Sequence, residues 1–155
     1  TPAARNQLKI LRAAGLQPTD LSHASELLGR SQLVVDALIG YGLRGAPQGR
    51  TAQLIDLCND HGTRILALDV PSGLDATTGG TPGSVVRPDT TLTLALPKAG
   101  LHSLPGEVYL ADIGIPPQVF HELGLDFDPP FNDSYWVRIF CLSEGDTSQA
   151  AGRDD

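Results

Sequence analysis

Two apolar segments separated by one stretch of helical spacing constrain the fold more than any other feature of the sequence. The first, Leu33–Ile39, ends at Gly40, and the second is Arg64–Val70. Such runs are typical of strands buried on both faces of a parallel sheet. Apolar residues recur at helical spacing within Thr51–Cys58, between the two runs. Strand, helix and strand make one βαβ unit, which predicts an α/β domain with a mostly parallel sheet.

The rest of the sequence continues this alternation. Further helices are predicted at Ala3–Ala14, within Leu16–Arg30 and at Pro117–Gly124, and further strands at Thr91–Leu96, Glu107–Ile113 and, as an edge strand, Tyr135–Phe140. Residues 143–155 are polar, small and charged, so they are predicted to form a disordered tail behind a domain of residues 1–142.

Charge and cysteine content exclude several classes of function. The net charge of −7, with no cluster of lysines and arginines, disfavours nucleic acid as a partner. No apolar run approaches the roughly 20 residues of a membrane span. Two isolated cysteines, Cys58 and Cys141, suit neither a disulfide framework nor a zinc site. The chain is therefore expected to be cytoplasmic, with no nucleic acid and no membrane among its partners.

A glycine-rich loop directly follows the first apolar run. It consists of Gly40, Tyr41, Gly42, Leu43, Arg44, Gly45 and Ala46. Glycines in this position let backbone N–H groups approach a phosphate. However, Pro47 and Gly49 delay the next helix, so the loop departs from the dinucleotide fingerprint. A phosphate-binding loop and a plain turn both remain open from this pattern.

Three polar residues lie within or directly after the apolar runs. Asp69 is the last residue but one of the second run, and the turn that follows the run carries Ser72. Ligands bind outside the carboxyl ends of parallel strands, so both residues are candidates for a site, although Asp69 and Ser72 could instead cap turns. We expect Asp69–Ser72 to lie beside Gly40–Ala46, at the carboxyl ends of adjacent parallel strands. Asp36 interrupts the first run, where a carboxylate must be paired, protonated or bound to a cation. It could instead be a structural carboxylate bonded to backbone amides. Together these oxygens would suit a hard cation such as K⁺ and would not suit zinc.

Four segments, taken in order, resemble one family. They are Asp36–Gly45, Ala67–Asp75, the lysine-containing Thr91–Leu101 and Ala111–Pro116. The chain resembles the NAD(P)H-hydrate epimerase family, known as the YjeF N-terminal domain, from about Asn6 to Phe140. The resemblance implies a Rossmann-like three-layer αβα sandwich. It also implies an isomerase that interconverts the R and S epimers of hydrated NADH and NADPH in nicotinamide nucleotide repair.

The resemblance assigns roles to the candidate residues. Asp36 and Ser72 match the family's ligands for K⁺, one ion per subunit. Gly40–Ala46 matches a substrate-binding loop, and Asp69 matches the acid that contacts the substrate and is the expected catalytic residue. The implied partner is an ADP- or ATP-dependent NAD(P)H-hydrate dehydratase, fused or separate, and the resemblance allows a homodimer.

One family motif has no counterpart in the sequence. The Asn-Asn-Gly-Gly-Asp-Gly phosphate loop that follows the family's first strand is expected upstream of Thr1, which would make the domain incomplete at its N-terminus, so that the isolated chain need not be active. Two other functions stay open: a non-catalytic nucleotide-binding or scaffold module of the same fold, and an NAD-dependent dehydrogenase. The presence of Asp36, Asp69 and Ser72 disfavours the scaffold, and the long interval from Gly45 to the next helix disfavours the dehydrogenase.

Overall fold

The computed structural model describes residues 1–140 of the chain. Its helices are α1 (Pro2–Ala13), α2 (Ala24–Arg30), α3 (Gly49–His61) and α4 (Pro117–Glu122), with 3₁₀ turns at Leu21–His23 and Ala99–Ser103. Its strands are β1 (Val34–Asp36), β2 (Ile65–Leu68), β3 (Thr90–Leu94), β4 (Glu107–Ala111) and β5 (Trp136–Ile139). Cys141 and the predicted tail at 143–155 lie outside the described residues.

The strands form one sheet in the order β1-β2-β3-β4-β5. Strands β1 to β4 run parallel to one another, and β5 pairs antiparallel with β4 at the edge of the sheet. This confirms the α/β fold, the mostly parallel sheet and the edge position of the last strand. Because β1 and β2 are adjacent and parallel, their carboxyl ends meet at the same edge of the sheet.

One face of the sheet carries the core next to α3. Val34 of β1 and Ile65 of β2 are register partners, and both pack against Ile55 and Cys58 of α3. Ile55 is fully buried, and burying a side chain of this size stabilises a fold by about 1.5–3 kcal/mol. The helical spacing in Thr51–Cys58 therefore has its expected role of turning one face of α3 onto the sheet.

The prediction that the first strand is buried on both faces is wrong for Val35. This side chain is 53% exposed, whereas Val34 and Asp36 on the opposite face are buried. An apolar run indicates that both faces of a strand can be buried. It does not show whether another element packs on each face. Helix α1 is a surface helix with no buried residue.

No helix within residues 1–140 is long and apolar enough to cross a membrane.

Candidate functional site

The glycine-rich loop and the turn after β2 lie side by side. The Tyr41 N–H donates to Asp69 Oδ2 at 3.2 Å, and the Ile39 N–H donates to Ser72 Oγ at 2.8 Å. Both segments leave the carboxyl ends of the adjacent strands β1 and β2. The predicted juxtaposition of Gly40–Ala46 with Asp69–Ser72 is therefore what the structure has, while the roles of these residues stay predictions.

A close approach explains the glycine at position 40. A Cβ atom there would lie 2.9 Å from Asp69 Oδ2, so a side chain would displace the carboxylate. Gly45 adopts a left-handed φ of 75°. Helix α3 then begins at Gly49, which confirms the delayed helix start and the departure from the dinucleotide fingerprint.

Asp36 is a buried carboxylate, 2% exposed, whose hydrogen bonds come from neutral donors. It accepts from Ser72 Oγ at 2.6 Å, from the Ser72 N–H at 2.8 Å and from the Leu38 N–H at 3.3 Å. These bonds stabilise the carboxylate without a cation, and they are what the structural alternative for Asp36 requires.

The same oxygens also match the preferences of a hard cation. Ser72 Oγ lies 3.2 Å from the Ile39 carbonyl oxygen and 2.6 Å from Asp36 Oδ1. A carboxylate, a hydroxyl and a carbonyl make an all-oxygen group that suits K⁺. Within residues 1–140, no group of three or more His, Cys, Asp and Glu side chains is placed to hold a metal ion.

Asp69 has a different partner, a lysine. Lys98 Nζ lies 2.6 Å from Asp69 Oδ1, and the two side chains are only 12% and 21% exposed, respectively. The ammonium also donates to Thr93 Oγ1 at 3.0 Å and to the Leu94 carbonyl oxygen at 2.6 Å. The sequence reasoning missed Lys98 as a site residue. The signal that could have found it is a lysine shortly after the carboxyl end of β3. This strand lies two positions from β1, which carries Asp36, in the order of the sheet.

Strands β2 and β3 each end in a strained turn of the same type. At Leu68–Val70, Asp69 has a φ of 72° and the Val70 N–H donates to the Leu68 carbonyl at 3.1 Å. At Leu94–Leu96, Ala95 has a φ of 65° and the Leu96 N–H donates to the Leu94 carbonyl at 2.7 Å. A bond that spans three residues with a left-handed centre is the uncommon, strained form of the γ-turn. Strain of this kind concentrates at functional sites.

The loop at 84–86 packs against the turn that carries Ser72. The Val86 N–H donates to the Ser72 carbonyl at 2.9 Å. Gly73 has a φ of 99°, and a Cβ atom there would lie against the Ser84 carbonyl oxygen and 2.9 Å from Val85 Cα. Only glycine fits this contact, which explains why the turn reads Pro-Ser-Gly.

Comparison with known proteins gives one matching family and several relatives. The family model described as "YjeF-related protein N-terminus" matches residues 1–100. A protein of Dehalogenimonas lykanthroporepellens named NAD(P)H-hydrate epimerase is 52% identical over 135 residues, which cover 86% of this chain and 54% of that protein. One of the same name from Truepera radiovictrix is 45% identical over 107 residues, 68% of this chain and 48% of that protein.

Two further matches extend the comparison. A protein of Escherichia coli named bifunctional NAD(P)H-hydrate repair enzyme Nnr is 40% identical over 113 residues, which cover 68% of this chain and 22% of that protein. The crystal structure of yeast ynu0 superposes with a TM-score of 0.74 at 17% identity, over 90% of this chain and 61% of that one, which shows a shared fold. The chain spans about half the length of the two relatives named epimerase.

Proposed function

This chain belongs to the family of YjeF-related protein N-termini, and from that premise we propose that it acts in the epimerisation of hydrated NADH and NADPH. Relatives that carry the name NAD(P)H-hydrate epimerase support the reaction. The observation that carries the proposal is the carboxylate of Asp69, which faces the glycine-rich loop at the carboxyl end of β2. This is the edge of a parallel sheet at which ligands bind.

The chemistry needs an acid–base group beside the hydroxyl-bearing ring carbon. Water adds to an enamine at the carbon next to nitrogen, and that carbon inverts if the hydroxyl leaves as water and water returns to the opposite face. The leaving hydroxyl must gain a proton and the returning water must lose one. We assign the proton transfer on one face of the ring to Asp69, because a positioned carboxylate can both give and take a proton, and solvent water exchanges the proton on the other face.

The glycine-rich loop is the proposed substrate-binding segment. Gly42 and Gly45 are exposed and have open space where a side chain would be, so their backbone can approach a ligand closely. Tyr41 is exposed beside them, while its N–H is bonded to Asp69. A nucleotide bound on this loop would lie close to Asp69, because the loop and the carboxylate are joined by a hydrogen bond.

We propose that K⁺ binds between this loop and the turn after β2. Asp36, Ser72 and the Ile39 carbonyl would hold the ion, which supplies positive charge next to the buried carboxylate of Asp36. The residues themselves join the two segments, since Ser72 accepts from the Ile39 N–H at 2.8 Å. The ion would thus order the segment that leads into the substrate-binding loop.

A dehydratase that consumes the hydrate completes the proposal. Relatives named bifunctional NAD(P)H-hydrate repair enzyme support a fused or separate dehydratase as the partner. A cytoplasmic location belongs to the same proposal, since hydrated cofactors arise where NADH and NADPH are used.

The test is an assay of interconversion between the two hydrate epimers, coupled to a dehydratase. The protein as its gene encodes it should accelerate interconversion, and Asp69→Asn should slow it by about 10²–10⁴-fold, because Asn cannot take a proton. Asn keeps an oxygen for Lys98, but its NH2 group cannot accept from the Tyr41 N–H and the Lys98 ammonium loses its counter-charge, so thermal unfolding accompanies the assay to show that the variant is folded. Asp56→Asn, an exposed acid on α3, is the matched control.

Two outcomes would contradict this assignment. Near-normal interconversion by Asp69→Asn would remove the proton-transfer role from Asp69. Tight binding of the hydrates with no interconversion by the unmodified protein would instead support the non-catalytic binding module.

A further inference from the structure

The ammonium group of Lys98 donates all three of its hydrogen bonds to acceptors within the protein. It carries three protons, and it donates to three acceptors: Asp69 Oδ1, Thr93 Oγ1 and the Leu94 carbonyl oxygen. No proton of the group is left for a ligand. Whatever Lys98 does for the site, it must do through these acceptors rather than by direct contact with a substrate.

The three acceptors join the ends of two neighbouring strands. Asp69 is the centre of the strained turn after β2, and Leu94 begins the equivalent turn after β3. The Leu94 carbonyl accepts from both the Leu96 N–H and Lys98 Nζ, so the lysine is tied to the second turn and reaches across to the first. Lys98 therefore fixes the distance between the two strained turns.

The ion pair also decides which oxygen of Asp69 is available. Lys98 occupies Oδ1, and Oδ2 faces the glycine-rich loop, where it accepts from the Tyr41 N–H at 3.2 Å. Gly40 leaves just enough room for this oxygen, because a Cβ atom would lie 2.9 Å away. A carboxylate released from Lys98 could rotate, since its two oxygens would no longer have different partners.

We propose that Lys98 is a positioning residue of the epimerase site, which holds Asp69 through Oδ1 so that Oδ2 is the oxygen presented to the substrate. This inference rests on the proposed function, and it adds a residue and an oxygen to it. Stability alone does not account for the arrangement. A partly buried ion pair contributes little net free energy to folding, and strained turns lower the stability of the fold. An ion pair and strained turns together are instead typical of a pre-organised site.

The experiment compares Lys98→Met, Lys98→Arg and Lys9→Met in the protein as its gene encodes it. Lys9 lies exposed on α1, so it controls for the loss of one positive charge. We expect Lys98→Met to lower kcat by about 10²-fold with little change in KM, because small misplacements of a reacting group have effects of that size. Lys98→Arg should recover part of the loss, and Lys9→Met should behave like the unmodified protein.

A double variant separates positioning from general structural support. If Lys98 acts through Asp69, adding Lys98→Met to Asp69→Asn should slow the reaction no further. Multiplication of the two effects, or a rise in KM with unchanged kcat, would overturn the proposal.

A second readout does not depend on activity. The amide resonance of Tyr41 reports its hydrogen bond to Asp69 Oδ2, so it should move in Lys98→Met and stay in place in Lys9→Met. If the unmodified protein lacks epimerase activity but the resonance moves, the proposed function fails and the positioning contact stands. An unmoved resonance would overturn the positioning role itself.

Discussion

At the scale of single residues, Asp36 and Asp69 differ in what surrounds their charge. Asp36 is buried and accepts hydrogen bonds from neutral groups, whereas Asp69 is ion-paired with Lys98. A carboxylate in an apolar strand that lacks a protein cation among its hydrogen-bond donors is a natural place for an external one. Asp69 has its cation already, in the ammonium group of Lys98, so it does not call for an external one.

The first prediction concerns K⁺. The protein as its gene encodes it should unfold at a higher temperature in potassium chloride than in choline chloride at equal ionic strength. A ligand at 100 times its Kd stabilises the folded state by about 2.7 kcal/mol. In Ser72→Ala the difference between the two salts should vanish, because the hydroxyl ligand is gone. The measurement is thermal unfolding followed by circular dichroism or calorimetry.

The control is built into the comparison of salts. Ser72→Ala should also be less stable in both salts by about 1–3 kcal/mol, because the Ile39 N–H loses its acceptor. Equal melting temperatures of the unmodified protein in the two salts would show that Asp36 and Ser72 form a structural pair.

At the scale of elements, the turns after the strands hold the site together. Each of β2 and β3 ends in a γ-turn with a left-handed centre, and the Pro-Ser-Gly turn follows the first of them. The strands set the direction of the chain, and the turns set where Asp69 and Ser72 point. The site is therefore sensitive to changes in backbone conformation that the sheet would tolerate.

The second prediction is that Gly73→Ala lowers the free energy of unfolding by more than about 2 kcal/mol, since a non-glycine residue at a strained φ alone costs about 1–3 kcal/mol. The added methyl group must also displace the backbone at Ser84 and Val85. Urea unfolding measures the effect. Gly42→Ala is the matched control, because a Cβ atom at Gly42 meets nothing within 4 Å. Equal stability of the two variants would refute this account of the turn.

At the scale of the whole molecule, the reactivity of the Cys58 thiol reports whether α3 is packed on the sheet. Cys58 is buried in the cluster that joins α3 to β1 and β2. Burial raises the pKa of the Cys58 thiol, and the negative charge of Asp36 raises it further. Both effects reduce the thiolate that thiol reagents require, so labelling should be slow while α3 is packed on the sheet.

The third prediction follows from this protection. In a Cys141→Ser background, Cys58 should react with a chromogenic disulfide reagent at least about 10²-fold more slowly in buffer than in concentrated urea, since reaction needs local or global opening. A control with a free cysteine peptide corrects for the effect of urea on the reagent. Labelling in buffer at the urea rate would mean that α3 is not packed on the sheet.

Much of the fold and part of the site could be predicted from the sequence. The βαβ unit around Thr51–Cys58 was predicted because buried strands and an amphipathic helix have different apolar periods. The meeting of Asp69 and Ser72 with the glycine-rich loop was predicted because parallel strands end at the same edge. Lys98 was not predicted as a site residue, because its contacts depend on a turn of the backbone at Ala95. Nothing in an alanine indicates a left-handed φ.

The sequence by itself determined which segments are strands and helices, and which polar residues stand at strand ends, because periodicity and position are local properties. Only the tertiary structure decided that Asp69 pairs with a lysine 29 positions away. It also decided that Asp36 accepts hydrogen bonds from Ser72 and that Val35 faces outward. Each of these depends on which strand lies beside which and on how the chain turns where a strand ends. Such relations join residues distant in sequence, so no local pattern encodes them.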